Sequence, residues 1–149
     1  MNIRKYCEDD YKEILEIYSK SKLDELQFED ADFELLPLES DEKRLSQLME
    51  SDIFVYSEKK VIGYTAVYGS EIRALFVHPN NRRKGIGRKL LEHVLTNLEP
   101  PVTLYIAKTN HYAKNIYFKY GFEVVEEFKT TYNGKSVLAN KMVLSSLNG

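Results

Sequence analysis

The chain has 149 residues, 43% of them hydrophobic, enough for one well-buried core and too few for two ordinary domains. A formal net charge of -2 and a pI near 6.0 argue against a dedicated nucleic-acid binder, and no apolar run approaches the roughly 20 residues that cross a bilayer. A single cysteine, Cys7, excludes an internal disulfide, and the N-terminus lacks the apolar run of a signal peptide, so a cytoplasmic protein is expected.

In chain order, residues 2–6 read as a first strand. Glu8-Asp9-Asp10 then supplies acidic caps for a helix to about residue 19, whose Tyr11, Ile14, Leu15 and Tyr18 fall at helical spacing and are assigned to the core. Cys7 reads as a small buried hydrophobe. From 24 to 42 acids recur without Lys or Arg, and Leu26, Phe28, Phe33, Leu35, Leu36 and Leu38 are interleaved among them without a period that identifies an element. A short helix over 41–49 carries Leu45 and Leu48. Residues 53–56 and 61–68 read as strands joined by Ser57-Glu58-Lys59-Lys60, and Gly69-Ser70 turns into a third strand over 71–77, an antiparallel meander.

Ile86, Leu90, Leu91, Val94, Leu95 and Leu98 repeat at helical period. Pro100-Pro101 breaks the chain, and 102–106 is made largely of β-forming residues. A strand, crossover helix and strand of this size imply parallel, right-handed pairing. A helix over 110–120 stops at Gly121, and strands 122–131 and 136–144 meet at Asn133-Gly134, a strong hairpin signal. The expected fold class is α/β (α+β): one domain over 1–149 with a mixed, mostly antiparallel sheet of about seven strands and helices on both faces.

Two segments carry chemistry. Between strand 71–77 and the helix that follows lies Arg82-Arg83-Lys84-Gly85-Ile86-Gly87-Arg88. Near-adjacent glycines let backbone N–H groups converge, and the helix that opens there adds free amides and the positive end of its dipole, so an anion, most plausibly a phosphate, belongs at this point. It is neither a nucleotide-triphosphate loop nor Gly-x-Gly-x-x-Gly, because residue 90 is Leu. The second segment is Asn110-His111-Tyr112-Ala113-Lys114-Asn115-Ile116-Tyr117-Phe118-Lys119-Tyr120-Gly121-Phe122.

Together these resemble the GNAT superfamily of N-acetyltransferases, filling every specified position of Arg/Gln-x-x-Gly-x-Gly/Ala and of Asn-x-x-Ala-x-x-x-Tyr-x-x-x-Gly-Phe. The resemblance covers about 53 to 144 and is only topological before that. It implies acetyl-CoA as co-substrate, its pyrophosphate held by Arg82, Arg83, Lys84, Gly85, Ile86, Gly87 and Arg88. It further implies a pantetheine arm along Leu75, Phe76 and Val77, with Asn110 contacting that arm or ordering the helix start. Tyr117 stands where the family's general acid for the departing thiolate lies. The backbone N–H of Leu75, at a bulge in its strand, stands where the donor to the thioester oxygen lies.

An alkylamine with a pKa near 10.4 attacks a thioester only as the neutral base, so a proton must be removed near neutrality. Glu71, fourteen positions before Gly85, occupies the offset at which some histone-acetylating relatives carry a catalytic glutamate, acting directly or through water. His78, His93 and His111 are rival bases, His93 on the polar side of its helix. No histidines and carboxylates show metal-ligand spacing, so no metal is expected. The leading function is transfer of acetyl from acetyl-CoA to a primary amine in a ternary complex, in a monomer or homodimer with no membrane or nucleic-acid partner. A CoA-binding module without catalysis and a domain that binds partners through its basic patch are the alternatives. The acidic run from 24 to 42 would favour a cationic small-molecule or peptide amine, or else is a solvated edge.

Overall fold

The computed structural model describes residues 2–146. Alternating strand-forming residues in the middle of the chain build the expected meander of β2 (Asp52–Ser57), β3 (Val61–Tyr68) and β4 (Glu71–Val77), with β1 (Ile3–Lys5) pairing antiparallel to β2 at the sheet edge. β3 is buried from Val61 to Val67, because both faces of the sheet are covered. On one face α1 (Tyr11–Ser21) and α2 (Glu42–Met49) set Ile14, Ile17, Tyr18 and Leu48 against Val55, Tyr64 and Phe76. On the other, α3 (Ile86–Leu95) and α4 (His111–Lys119) set Leu91, Val94 and Tyr117 against Ile72 and residues of the next strands.

Those strands are β5 (Val102–Ala107), parallel to β4, and the hairpin of β6 (Glu123–Tyr132) and β7 (Lys135–Leu144). The sheet has seven strands in the order β1-β2-β3-β4-β5-β7-β6. β4 and β5 pair only at Glu71 with Thr103 and Ile72 with Leu104. Beyond that point β4 stays with β3 as far as Val77, and β5 stays with β7 as far as Ala107, so the sheet opens between them. The cause is local. Val67 faces Ile72 and Ala66 faces Ala74, which leaves Arg73 as an extra residue, and such a bulge bends its strand. The bulge is therefore at Arg73 rather than at Leu75.

The N-terminal third departs most from expectation. Glu8–Asp10 forms a 3-10 turn, and the buried Asp10 carboxylate takes both guanidinium nitrogens of Arg4 at 2.8 and 2.9 Å and the Cys7 N–H at 2.9 Å, so it does not cap α1. Cys7 is exposed, Tyr11 and Leu15 are half-buried, and Ile17 joins Ile14 at zero exposure. After α1 comes an unanticipated 3-10 turn, Lys22–Leu26. The acidic segment that follows buries Leu26 and Leu38 and is tied to the β6–β7 hairpin. The Tyr132 hydroxyl accepts the Leu36 N–H at 2.9 Å, Asn133 Nδ2 donates to the Glu34 carbonyl at 3.0 Å, and Lys135 Nζ donates to the Asp32 carbonyl.

Candidate active site

The open edge of β4 is the starting point. The His78 N–H donates to the Ile62 carbonyl at 2.8 Å, which sets the hydrogen-bonding phase of the antiparallel pair. Counting back by twos, Phe76 and Ala74 turn their main-chain groups to β3, and Leu75 and Val77 turn theirs to the edge that β5 has left. The Val77 carbonyl there accepts the buried Ser21 hydroxyl at 3.2 Å. Phe76 differs from its neighbours: its ring is buried among Tyr18 and Tyr64, with centroids at 5.5 and 5.6 Å, and its backbone faces β3.

β4 leads through the 3-10 turn Pro79–Asn81 into the glycine loop. Gly85 is the N-cap of α3 with φ +76, a backbone conformation costly for residues with a Cβ, and offers no side chain to the helix amides. The first amides of α3 therefore lack an internal partner. A Cβ built on Gly85 meets nothing within 4 Å, and one on Gly87 meets only Val77 Cγ2 at 3.6 Å, so the loop leaves a cradle open toward the end of β4. The Ile86 side chain packs inward with Tyr56, Ile62 and Leu90, so only its main chain can serve a ligand. Arg83, Lys84 and Arg88 are exposed around the cradle, whereas Arg82 turns back to Asp24 with Nη1 and Oδ2 2.6 Å apart. The donor set suits a pyrophosphate: backbone N–H groups, a helix start and cations, with room that a side chain would fill.

Tyr117 belongs to the layer of α3 and α4, with its ring 5.4 Å from Phe122. Burial raises its hydroxyl pKa far above the usual phenol value, and the Glu25 carboxylate adds to the rise. Glu25 lies in the turn that follows α1. Asn110 occupies the N-cap of α4, yet its side chain caps no amide. Glu71 lies at the closed end of β4, its carboxylate 3.6 Å from Arg73 Nε, and Arg73 also holds Glu50 at 2.6 Å.

The three histidines are engaged locally. His78 is buried and its Nδ1 accepts the Asn80 N–H at 3.2 Å. His93, placed by sequence on the polar side of its helix, is half-buried with its ring 5.1 Å from that of Phe54, and the His111 ring lies 5.6 Å from that of Phe28. Among the described residues no group of His, Cys, Asp and Glu could hold a metal ion, and no helix is long and apolar enough to cross a membrane.

Ser21, Lys22 and Glu25 belong to no motif in the sequence. Ser21 carries a faint signal, as a polar residue on the apolar stripe that includes Ile14, Ile17 and Tyr18. Glu25 is one acid among many in the sequence, and only the tertiary structure distinguishes it.

An open β4 edge that runs into a glycine loop at a helix start suits a ligand with an extended amide arm and a phosphate group. A family model described as an acetyltransferase (GNAT) domain matches residues 16–145, and the chain belongs to this family. Peptidyl-lysine N-acetyltransferase YjaB of Salmonella typhimurium is 34% identical over 83 residues, which are 56% of this chain and 57% of the relative. The match thus spans little more than half the length of that relative. A GCN5-related N-acetyltransferase from Rhodopseudomonas palustris superposes with a TM-score of 0.78 at 16% identity, over 97% of this chain and 94% of the other. yncA from Salmonella typhimurium, solved with its cofactor acetyl-CoA, superposes with a TM-score of 0.71 at 22% identity, over 100% and 95%. These two structures share the fold.

Proposed function

We propose that the protein transfers the acetyl group of acetyl-CoA to a primary amine by direct attack within a ternary complex. The observation that carries this reading is the edge of β4 at Leu75 and Val77 that β5 does not pair with, continuous with the cradle at Gly85 and Gly87. Membership of the acetyltransferase family and the acetyl-CoA held by yncA support it. Acetyl-CoA supplies the activated thioester. Val77 would pair with its amide arm as a neighbouring strand does, and the amides of Arg83 to Arg88 would take its pyrophosphate. The Leu75 N–H would donate to the thioester oxygen as charge develops there. Tyr117, kept protonated by burial, would supply a proton to the departing thiolate, and Glu71, directly or through water, or a histidine would take the proton that the amine must lose to attack.

The similarity to a peptidyl-lysine N-acetyltransferase favours an amine on a lysine side chain of a peptide or protein as acceptor. The acids between 24 and 42 would favour a cationic one. We assign the protein to the cytoplasm, where an exposed lone cysteine suits a reducing environment. The test is release of free thiol from acetyl-CoA across a panel of lysine peptides, polyamines and amino sugars, with calorimetric binding of acetyl-CoA in parallel. Binding and turnover with an amine are expected, and no binding of acetyl-CoA would overturn the reading.

A further inference from the structure

We infer that Glu25, together with Tyr18 and Tyr132, forms the seat for the acceptor's alkylammonium group, and that the side chain of Lys22 occupies this seat when no acceptor is bound. The inference deepens the acetyltransferase reading and rests on it. Lys22 Nζ is 2.8 Å from Glu25 Oε2, 5.3 Å from the centre of the Tyr132 ring and 6.0 Å from that of Tyr18. One carboxylate and two aromatic faces around an alkylammonium satisfy that group by charge-assisted hydrogen bonding and by the ring quadrupoles, and the Arg44 guanidinium, paired with Asp41 at 3.2 Å, shares the Tyr132 ring at 5.2 Å. Only 12% of the Lys22 side chain is exposed, and 30% of the Glu25 side chain, so the seat is lined by protein but open to water on the carboxylate side.

An independent observation marks the same place. The Tyr18 hydroxyl is buried and has no hydrogen-bond partner, alone in this among buried side-chain polar atoms of the described residues. Leaving such a group unpaired in a core is costly, and sites that bind polar ligands are where the cost is tolerated. Lys22 leaves this oxygen unpaired, so an acceptor ammonium seated closer to it would gain a hydrogen bond that Lys22 does not make.

The seat also lies at the site already described. Ser21, next to Lys22, donates to the Val77 carbonyl on the open edge of β4, and Phe76 joins Tyr18 to Tyr64 beneath. Burial raises the hydroxyl pKa of Tyr18 and of Tyr132, with Arg44 opposing the rise and Glu25 adding to it. Lysine is thus both the side chain the seat holds and the acceptor chemistry it fits. This makes Glu25 a specificity-determining residue, distinct from Glu71 at the closed end of β4.

Two substitutions that break the same ion pair should act in opposite directions. With a lysine peptide as acceptor, Glu25→Gln should raise KM by about tenfold or more, because the ammonium loses its carboxylate. Lys22→Met should lower KM several-fold, because the internal competitor is gone. Acetyl-CoA affinity should be unchanged in both. A purely structural pair would shift both variants the same way, and that result, or no shift in either, would overturn the inference. A binding arm does not depend on turnover: n-pentylamine titrated by NMR into Lys22→Met should move the Tyr18 and Tyr132 ring resonances, and should not do so in Glu25→Gln. Absence of these shifts also overturns the seat, whereas shifts without any thiol release would leave the seat standing and remove the acetyltransferase reading.

Discussion

Arg82 Nη1 lies 2.6 Å from Asp24 Oδ2, so the first cation of the glycine loop is joined to the turn that follows α1. Both side chains remain substantially exposed, at 41% and 47%, and such a pair contributes about 0–1 kcal/mol. With its guanidinium held back by Asp24, Arg82 contributes less to phosphate binding than its motif position suggests. Arg82→Ala is expected to weaken acetyl-CoA by less than about threefold in a calorimetric titration, under 1 kcal/mol. A loss of about tenfold or more would make Arg82 a direct phosphate ligand.

The two loop glycines separate strain from occupancy. At Gly87 an added Cβ meets only Val77 Cγ2 at 3.6 Å, and the substitution replaces a residue of poor helix propensity, so Gly87→Val should fold with undiminished stability. It should nonetheless lose acetyl-CoA affinity by about tenfold or more, because its methyl groups occupy the cradle. Gly85→Val should lose affinity and also about 1–2 kcal/mol of stability, since φ +76 disfavours a residue with a Cβ. Thermal melts beside calorimetry distinguish the two. A folded Gly87→Val with wild-type affinity would remove the loop from the binding site.

Tyr117→Phe deletes one hydroxyl and leaves the ring packed on Phe122. If that hydroxyl protonates the thiolate, kcat should fall by about 10²-fold while acetyl-CoA affinity holds, the signature of an interaction made in the transition state. Burial raises the Tyr117 pKa above the ordinary phenol value of about 10, so the residue stays protonated through neutrality. The wild-type rate should therefore show no ionisation of Tyr117 between about pH 6 and 9. A variant as active as wild type would reduce Tyr117 to packing.

The Arg4–Asp10 pair predicts the acid limb of stability. The Arg4 hydrogen bonds, opposed in part by burial, lower the Asp10 pKa from 3.8 to about 2. A carboxylate depressed in this way stabilises the fold above its unfolded pKa, and the contribution disappears as pH falls through about 2. At neutral pH Asp10→Asn should cost about 2 kcal/mol. The gap between variant and wild type should narrow steadily from pH 4 toward pH 2 in urea unfolding curves. A gap independent of pH over that window would assign the loss to packing.

What the sequence made legible follows the range of the forces involved. The helix stripe from Ile86, the Asn133-Gly134 hairpin and the Gly121 stop depend on neighbours a few residues away, and the elements stand within a residue or two of expectation, except that α3 ends at Leu95 and leaves Leu98, the last residue of the expected stripe, beyond it. The glycine loop was legible because a helix start whose N-cap takes a left-handed backbone favours a glycine there, as at Gly85. The segment from 24 to 42 was not. Its position is set by Tyr132, Asn133 and Lys135, about a hundred residues later, and no local period can report such partners. The same holds for Glu25, whose distinction from nearby acids lies in facing Lys22 beneath two tyrosine rings. Arg73 shows the opposite failure: the bulge was anticipated from a motif, at Leu75, and the ladder puts it two residues earlier.

The remaining acids of that segment should act at longer range than Glu25. Glu29 accepts the Thr109 hydroxyl, Asp32 has its carbonyl on Lys135, and Asp30 is exposed, so none of the three is held in the cage around Lys22. Charges of this kind steer a cationic acceptor through a field that salt screens over about 8–10 Å. Replacing Glu29, Asp30 and Asp32 together by their amides should raise the KM of a lysine peptide at low ionic strength by a few-fold. The effect should vanish toward about 0.5 M salt, where the screening length is only several ångströms. The Glu25→Gln effect should persist there, because a contact carboxylate is screened much less than a distant one. Acetyl-CoA affinity should not follow either change. Unaltered KM in the triple variant at low salt would make the acidic run a solvated edge, and a salt-independent rise would place one of the three in direct contact with the acceptor.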